Sequence, residues 1–377
     1  MTMTAKADAT DNRIEPGNRD VPTNSPDLNT AIAFAQTNEI QWSRDPAADG
    51  SNWGIHKLDP APWNRLLGPV HPRGPVSGVI RHRGRELASF GEPDRADLTF
   101  SVAKTYLALL AGVAQVQGLL PNVDEPVVQR VGGIGFEGAH NERVTWRQLL
   151  QQTSEWQGTC FGVPEQVDHY RRLQFAPAAP DAQGRAKGEL RSLHAPGSYW
   201  EYNDVRINQL SLALLHLFGR ALPDVFREAI MQPLGASADW QWVGYDNSWV
   251  QIGGQRIQSV PGGTHWGGGV SIGARDQSLI GQMLLDQGSG LVPAAWIEQM
   301  RTPCAIAPWY GYLLWLNHSG TVFPSMPKDC YAAFGAGGAV TCVVPSRQAV
   351  IVARWLAPEK IDGFMALVLQ ALPDDGH

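Results

Sequence analysis

The sequence has little cysteine, no long cluster of positive charge and no long apolar run, and each shortage excludes a class of protein. Its 377 residues contain four cysteines, which form no C-x-x-C pair and have no histidine at the spacing of metal ligands. We therefore predict reduced structural thiols with no disulfide framework and no metal site, and we expect no cofactor. The four are Cys160, Cys304, Cys330 and Cys342.

The net charge and the lack of a long apolar run limit the binding partners and the cellular locations that we expect. A formal net charge of −6 and the lack of a Lys/Arg cluster argue against nucleic acid as the main partner. No stretch resembles a transmembrane span, and the N-terminus has no apolar core of a signal peptide, which favours the cytoplasm. We expect a monomer or a homodimer that acts on a small molecule.

Glycine, proline and tryptophan are abundant by contrast, with 40, 27 and 14 copies. So many tryptophans suggest an aromatic-lined cleft, although packing in a core is the commoner use of any single one. The length allows one large domain or two interleaved domains.

The order of the predicted elements runs from strands to helices, back to strands and then to a final helix. The predicted strands are a hairpin at 79–90 and the segments 310–316, 332–344 and 348–355. The predicted helices are 29–38, 101–119, 205–217, 222–231, 276–285 and 363–372, with one more after the N-cap Thr145. Loops are predicted at 160–200 and 262–273.

This order predicts an α+β fold, in which one antiparallel sheet is built from both chain ends and flanked by helices, with a mostly helical insertion. Residues 1–30 are polar and rich in Asn, Asp, Thr and Pro, and we predict a flexible arm there. An α/β sandwich domain would comprise 31–125 and 290–377. A mainly helical domain would comprise 126–289, with the active site at the interface.

The segment Phe100-Ser-Val-Ala-Lys-Thr gives the strongest chemical signal. Ser101 and Lys104 lie three residues apart and therefore on one face of the predicted helix. A lysine amine whose pKa is lowered by burial can take the serine proton and make the hydroxyl a nucleophile. At the start of a helix, the Ser101 N–H also lies where an oxyanion would form. Alone, however, S-x-x-K more often marks an exposed helical turn.

Two downstream segments bear on the same chemistry. Tyr202 stands in Tyr-Trp-Glu-Tyr-Asn-Asp, between a Pro-Gly loop and an apolar helix. Phe334-Gly-Ala-Gly-Gly-Ala leads into an apolar strand, and its glycines allow close approach of backbone or ligand. Taken singly, Tyr202 is more often a packed tyrosine, and the glycine run is more often a turn.

In their order along the chain, the hairpin, the S-x-x-K helix, Tyr-x-Asp and the glycine-rich strand resemble the serine β-lactamase-like superfamily. Its members include class C β-lactamases, DD-peptidases and related esterases and amide hydrolases, and the resemblance covers about residues 75–370. It implies that Ser101 attacks an acyl carbon, that Lys104 takes or relays its proton, and that an acyl-enzyme forms. Tyr202 would shuttle a proton to the leaving group, with a pKa lowered by the lysine ammonium. The oxyanion hole would be the N–H groups of Ser101 and Ala339.

Two departures from the family pattern bear on the substrate. Asp204 replaces the Asn of Tyr-x-Asn, and its carboxylate could pair with Lys104, raise the lysine pKa and weaken it as a base. The family's Lys-Thr-Gly or His-x-Gly position is matched to Ala336-Gly-Gly, and alanine cannot bind a substrate carboxylate. Losing such a charge-assisted hydrogen bond costs about 1.5–3 kcal/mol. Small esters or amides, as in the nylon-oligomer-hydrolase branch, are therefore favoured over β-lactams and D-Ala-D-Ala peptides.

The other predicted site residues would bind the substrate. The substrate-binding set is Tyr170, Asp204, His265, Trp266, Trp315, Gly337 and Gly338. A β-lactamase or DD-peptidase activity is one alternative, and a catalytically inactive binding relative, suggested by Asp204 and Ala336, is another. Gly269-Val-Ser-Ile-Gly also matches the G-x-S-x-G nucleophile elbow, but no strand is predicted ahead of Ser271.

Overall fold

The computed structural model describes residues 26–48, 59–173, 176–178 and 181–373. The helices are α1 (Pro26–Thr37), α2 (Val102–Val116), α3 (Trp146–Leu150), α4 (Asp204–Phe218), α5 (Leu222–Phe226), α6 (Ala274–Leu285), α7 (Ala294–Arg301) and α8 (Ile361–Ala371). The strands are β1 (Ser77–His82), β2 (Arg85–Phe90), β3 (Asp97–Leu98), β4 (Thr159–Cys160), β5 (Val163–Pro164), β6 (Gln241–Val243), β7 (Trp249–Ile252), β8 (Gln255–Gln258), β9 (Gly269–Ile272), β10 (Trp315–Leu316), β11 (Tyr331–Gly335), β12 (Ala339–Val344) and β13 (Ala349–Arg354).

One antiparallel sheet joins the two ends of the chain and confirms the predicted fold class. Its strand order is β10-β11-β12-β13-β1-β2. The C-terminal strand β13 pairs with the first strand β1, with Ile80 opposite Ile351, and both side chains are fully buried. The helices α2 and α6 pack against this sheet, and α8 contacts it through Phe364, whose ring lies 5.8 Å from that of Phe90.

The predicted hairpin is present, and its turn has the backbone that the sequence indicated. Arg83 and Gly84 have positive φ angles of 50° and 76°, which the missing side chain of glycine favours at the second position. Thr145 also caps α3 as predicted, since its side chain accepts from the Gln148 N–H in a complete capping box.

Several predicted boundaries were wrong. The predicted strand 332–344 is two strands, β11 and β12, because Gly337 and Gly338 adopt φ angles of 69° and 70° and turn the chain. The predicted strand 310–316 is reduced to β10. Residues 26–30 of the predicted arm belong to α1, and residues 1–25 lie outside the described part.

The segment 126–289, predicted to be mainly helical, also contains small sheets. Strands β6 and β9 of this segment form a three-stranded sheet with β3, which comes from outside it, and β7 pairs with β8. Strand β9 lies in the predicted loop 262–273. Gly267 and Gly268 before it and Gly269 at its start have positive φ angles, and such a glycine run is typical of a turn in sequence. Among the described residues, no helix is long and apolar enough to cross a membrane.

The helix α2 holds Ser101 and Lys104 in position. Its side chains from Val102 to Ala114 are all buried, so the helix is enclosed by protein along most of its length. Burial of this apolar surface holds its first turn in place, with Ser101 immediately before it as the N-cap residue. The helix α4 packs against α2 and begins at Asp204, after an N-cap by Asn203.

Candidate active site

Ser101 and Lys104 meet at the first turn of α2. The Nζ of Lys104 donates to the Oγ of Ser101 at 2.8 Å and to the Gly262 carbonyl at 3.3 Å. Lys104 is 1% exposed, whereas Ser101 is partly exposed, so Ser101 is the more accessible residue of the pair. Phe100, just before them, has a φ of 51°, which is strained for an aromatic residue and is of the kind found at functional sites.

Burial lowers the pKa of Lys104, and the Arg171 guanidinium adds to this effect. The carboxylate of Asp204 acts in the opposite direction, as the sequence suggested, but burial outweighs it. The neutral amine, which is the form that can accept a proton, is therefore easier to reach than in a free lysine.

Tyr202 lies over the same pair. Its hydroxyl hydrogen-bonds to Ser101, and its ring centroid lies 4.8 Å from the Lys104 Nζ. Burial, together with the charge of Asp204, raises the pKa of Tyr202. The predicted lowering of this pKa was wrong, because the effect of the cations is smaller than the cost of burying a phenolate. Tyr202 is therefore a neutral phenol at ordinary pH.

Asp204 pairs with Lys104, as the sequence suggested, and also with two further groups. One oxygen contacts the Lys104 Nζ, while the other lies 2.5 Å from Arg171 Nη1 and 3.3 Å from His265 Nδ1. Although burial opposes ionisation, Arg171 and Lys104 hold the pKa of Asp204 well below its usual range. Its carboxylate is thus engaged by the protein's own cations.

A second layer of charges lies behind Asp204. Asp59 accepts from His265 Nε2 at 2.7 Å, and Asp168 accepts from the backbone N–H of Asp204 at 2.7 Å. Asp59, Asp168 and His265 bring ligand atoms within 4.8 Å of one another, as a metal site would. The ammonium of Lys187, however, contacts Asp59 and lies 3.0 Å from Asp168, where it takes the place of a metal cation.

A similar acidic cluster lies nearby and is also neutralised by basic side chains. Glu165, His169 and Glu201 are close enough to hold a cation. The buried guanidinium of Arg206 contacts Glu165 at 2.8 Å and Glu201 at 3.3 Å, so this cluster is an internal ion-pair network.

Gly335, at the end of β11, is the residue of the glycine-rich segment that lies against the nucleophile. A Cβ built on Gly335 would lie 3.0 Å from the Ser101 nitrogen and 2.2 Å from the Thr99 carbonyl oxygen. Only glycine permits this close approach of two backbones. Sequence reasoning missed Gly335, although its position in the glycine run was a usable signal.

Gly337 and Gly338 do not lie against Ser101 in this way. Ala339 begins β12, opposite Gly335 and one strand further from the helix start. A Cβ on Gly337 would meet the Trp355 ring at 2.8 Å, and one on Gly338 would meet the Leu356 carbonyl at 1.7 Å. Gly337 and Gly338 therefore allow the turn to pack closely on Trp355 and Leu356, and their predicted contact with substrate stays a prediction.

The aromatic residues predicted in the cleft have different roles. Trp315 stacks on Tyr202 with ring centroids 5.8 Å apart, so it lies beside the reacting groups. Tyr170 lines a small cavity next to Tyr202, and its hydroxyl donates to Asp181 at 3.1 Å. Trp266 is fully buried and donates to a backbone carbonyl, which is a packing role.

Ser271, the alternative nucleophile, lies inside strand β9. It pairs with Leu98 on one side and Gln241 on the other. A nucleophile elbow requires the serine at a sharp strand-to-helix turn, with its hydroxyl projecting from the sheet edge. Ser271 has no such position.

Comparison with known proteins identifies the class of protein. The fold is that of the serine β-lactamase-like superfamily, as the sequence predicted. A family model, beta-lactamase, matches residues 92–354, which is more than half of the chain, and the chain belongs to this family. No curated protein matches it.

Three solved structures illustrate the fold. EstCE1, a hydrolase with promiscuous acyltransferase activity, is 17% identical, with 92% of this chain and 98% of that one covered and a TM-score of 0.58. A Bacillus anthracis protein assigned as a 6-aminohexanoate-dimer hydrolase is 17% identical, with 80% and 81% covered and a TM-score of 0.57. An octameric penicillin-binding protein homologue from Pyrococcus abyssi is 18% identical, with 80% and 74% covered and a TM-score of 0.55.

Proposed function

We propose that this protein is a serine hydrolase that acts through an acyl-enzyme on small carboxylic esters or amides. The observation that carries the proposal is the 2.8 Å contact between the Lys104 Nζ and the Ser101 Oγ, in a setting where burial lowers the lysine pKa. Membership of the beta-lactamase family and the hydrolases among the structural neighbours support the reaction class.

In the acylation step, neutral Lys104 takes the proton of Ser101 as the Oγ attacks the substrate acyl carbon. The negative charge then develops on the former carbonyl oxygen, which needs hydrogen-bond donors close to Ser101. The N–H of Ser101, at the start of α2, is one donor. We place the second at the Gly335–Ala336 peptide rather than at Ala339, because Gly335 is the residue that lies against Ser101.

Tyr202 then returns the proton. As a neutral phenol bonded to Ser101, it can donate to the leaving alkoxide or amine while it takes a proton from the Lys104 ammonium. The leaving group departs, and the acyl-enzyme remains on the Ser101 Oγ. In deacylation, neutral Lys104 takes a proton from water through Tyr202, which gives up its own proton as it accepts the one from water. The water oxygen attacks the acyl carbon, the bond to the Ser101 Oγ breaks, and the proton returns from Lys104 to the Oγ as the acid is released.

The surroundings of Ser101 favour a substrate without a carboxylate next to the reacting bond. Strand β11 carries no cationic side chain, and Arg171 is engaged by Asp168 and Asp204. Aromatic rings surround Tyr202, with Trp315 at 5.8 Å and Tyr310 at 6.3 Å, so an apolar acyl or leaving group fits best. EstCE1 is described as a hydrolase, and we extend that class of activity to this chain.

Covalent labelling with a fluorophosphonate tests the nucleophile. We expect the wild type and the matched control Ser271→Ala to be labelled, and Ser101→Ala to be unlabelled. Labelling of Ser101→Ala but not Ser271→Ala would reverse the assignment. No labelling of folded wild-type protein would instead favour a catalytically inactive binding relative.

Hydrolysis rates on p-nitrophenyl esters, linear amides and nitrocefin test the substrate class. We expect esters to be hydrolysed well ahead of nitrocefin, because no strand cation is present to hold a β-lactam carboxylate. Rapid nitrocefin turnover would contradict this and favour the β-lactamase or DD-peptidase alternative.

We also propose that the site lies between the two predicted domains. Ser101 and Gly335 come from the segments assigned to the α/β sandwich, and Tyr202 and Asp204 come from the inserted segment. The cytoplasmic location and the monomeric or homodimeric state stay predictions.

A further inference from the structure

Asp204 stands in direct contact with the base of the proposed reaction. A carboxylate paired with Lys104 stabilises the ammonium, which cannot accept the serine proton. In a buried setting this effect is large, because neither charge is screened by water. Burial of Lys104 opposes this effect, and a cation on the same carboxylate would oppose it further.

Arg171 lies in the position to do so. Its Nη1 is 2.5 Å from the Asp204 Oδ2, while Lys104 contacts the other oxygen of the same carboxylate. The guanidinium and the ammonium also flank one ring, at 5.4 Å and 4.8 Å from the Tyr202 centroid. A guanidinium stays charged at every accessible pH, so Arg171 is a permanent counter-ion to Asp204.

The charges around Lys104 can be counted from the ion pairs. They come from α2, from the start of α4, and from the segments around residues 59, 168–171, 187 and 265. The charged and titratable groups are Lys104, Arg171 and Lys187, facing Asp59, Asp168 and Asp204, with His265 between two of the carboxylates and Tyr202 over the ammonium. With His265 uncharged, three cations therefore balance three carboxylates while Lys104 is charged. A neutral lysine leaves one excess negative charge, and without Arg171 it would leave two.

We propose that Arg171 is a positioning residue for proton transfer, which allows Lys104 to act as the base by neutralising Asp204. This inference rests on the proposed function of Ser101 and Lys104. Arg171 touches neither reacting atom and acts through the carboxylate. The direction in which its charge shifts the Lys104 pKa, downward, agrees with this role.

The pH profile of kcat/KM for a p-nitrophenyl ester tests the role of Arg171. In Arg171→Gln, we expect the acidic limb to move up by about one pH unit, with about a tenfold loss of rate below the limb and recovery at higher pH. Arg171→Lys should restore the position of the limb, because it restores the charge. The matched control is Arg191→Gln, which removes an arginine that also joins two buried carboxylates, Glu155 and Glu201, but does not contact Asp204. It should lower thermal stability without moving the limb.

A double variant provides a second test if the single variant Arg171→Gln does not fold. In Arg171→Gln/Asp204→Asn the carboxylate that needs neutralising is gone. The acidic limb of this double variant should therefore lie at most a few tenths of a pH unit above the limb of Asp204→Asn. An upward move of a full unit in this double variant would overturn the proposal.

Other outcomes separate this inference from the proposed function. An unmoved limb in active Arg171→Gln would overturn the role of Arg171 and leave the serine mechanism intact. An equal move in Arg191→Gln would also overturn it, since general loosening of the fold would then be the cause. Loss of labelling in the wild type would refute the proposed function itself.

Discussion

Replacing Gly335 by alanine is the sharpest test of how the fold builds the site. A Cβ at this position would lie 2.2 Å from the Thr99 carbonyl oxygen and 3.0 Å from the Ser101 nitrogen. Both neighbours are backbone atoms at the buried start of α2, so neither can swing away as a flexible side chain would. The added methyl group must therefore push β11 away from Ser101.

The size of the effect follows from that displacement. Normal contact between carbon and another heavy atom needs about 3.5 Å, so the strand must move by about 1 Å. Such overpacking costs about 1–3 kcal/mol of folding stability. It also withdraws the Gly335–Ala336 peptide from the oxyanion, and the loss of one oxyanion donor lowers kcat by about 10²–10³-fold.

Steady-state hydrolysis of a p-nitrophenyl ester, with thermal unfolding measured in parallel, gives the readout. The control is Gly363→Ala in α8, where a Cβ would lie 3.6 Å from the Phe34 ring in ordinary contact. We expect this control to keep the wild-type kcat and to gain up to about 1 kcal/mol, because alanine favours a helix over glycine. A Gly335→Ala variant that keeps kcat within threefold of wild type and unfolds at the same temperature would show that the close approach of β11 to Ser101 is not needed.

Two further predictions concern charge. Asp204→Asn should move the acidic limb of the kcat/KM profile to lower pH, because its carboxylate raises the Lys104 pKa; a limb that moves upward would contradict this pairing. Glu155 is buried, which opposes its ionisation, but a hydrogen bond from Arg191 and the charge of Arg206 lower its pKa to about 2. Because this pKa is depressed by folding, the stabilisation is present above the unfolded value of about 4.5 and is lost as pH falls towards 2. Urea unfolding from pH 6 to pH 2 should show a steeper loss of stability in the wild type than in Glu155→Gln.

Much of the architecture could be predicted from local patterns. The apolar run after Ser101 indicated a buried helix, and Arg83-Gly84 and Thr145 marked a hairpin and a helix start, because each depends on residues close in sequence. The spacing of Ser101 and Lys104 placed both on one helical face, and the structure brings the two side chains into contact. The order of strands and helices was enough to predict a sheet built from both chain ends.

Short strands and turns were harder to predict. Strand β9 and the break between β11 and β12 depend on glycines with positive φ, and a glycine in a sequence does not reveal which conformation it adopts. Our proposal of the Gly335–Ala336 peptide rather than Ala339 as the second oxyanion donor depends on the same turn. The position of the turn determines which residue of the glycine run lies against Ser101.

The sequence by itself determined the fold class and the serine–lysine pair, because periodicity and short spacing depend only on residues that are close in sequence. Only the tertiary structure decided the electrostatics of that pair. Arg171 lies 33 residues from Asp204 in sequence, and no pattern links them, yet they are in contact. Burial likewise reversed the expected pKa shift of Tyr202, since the cost of removing a charge from water depends on the whole enclosing fold.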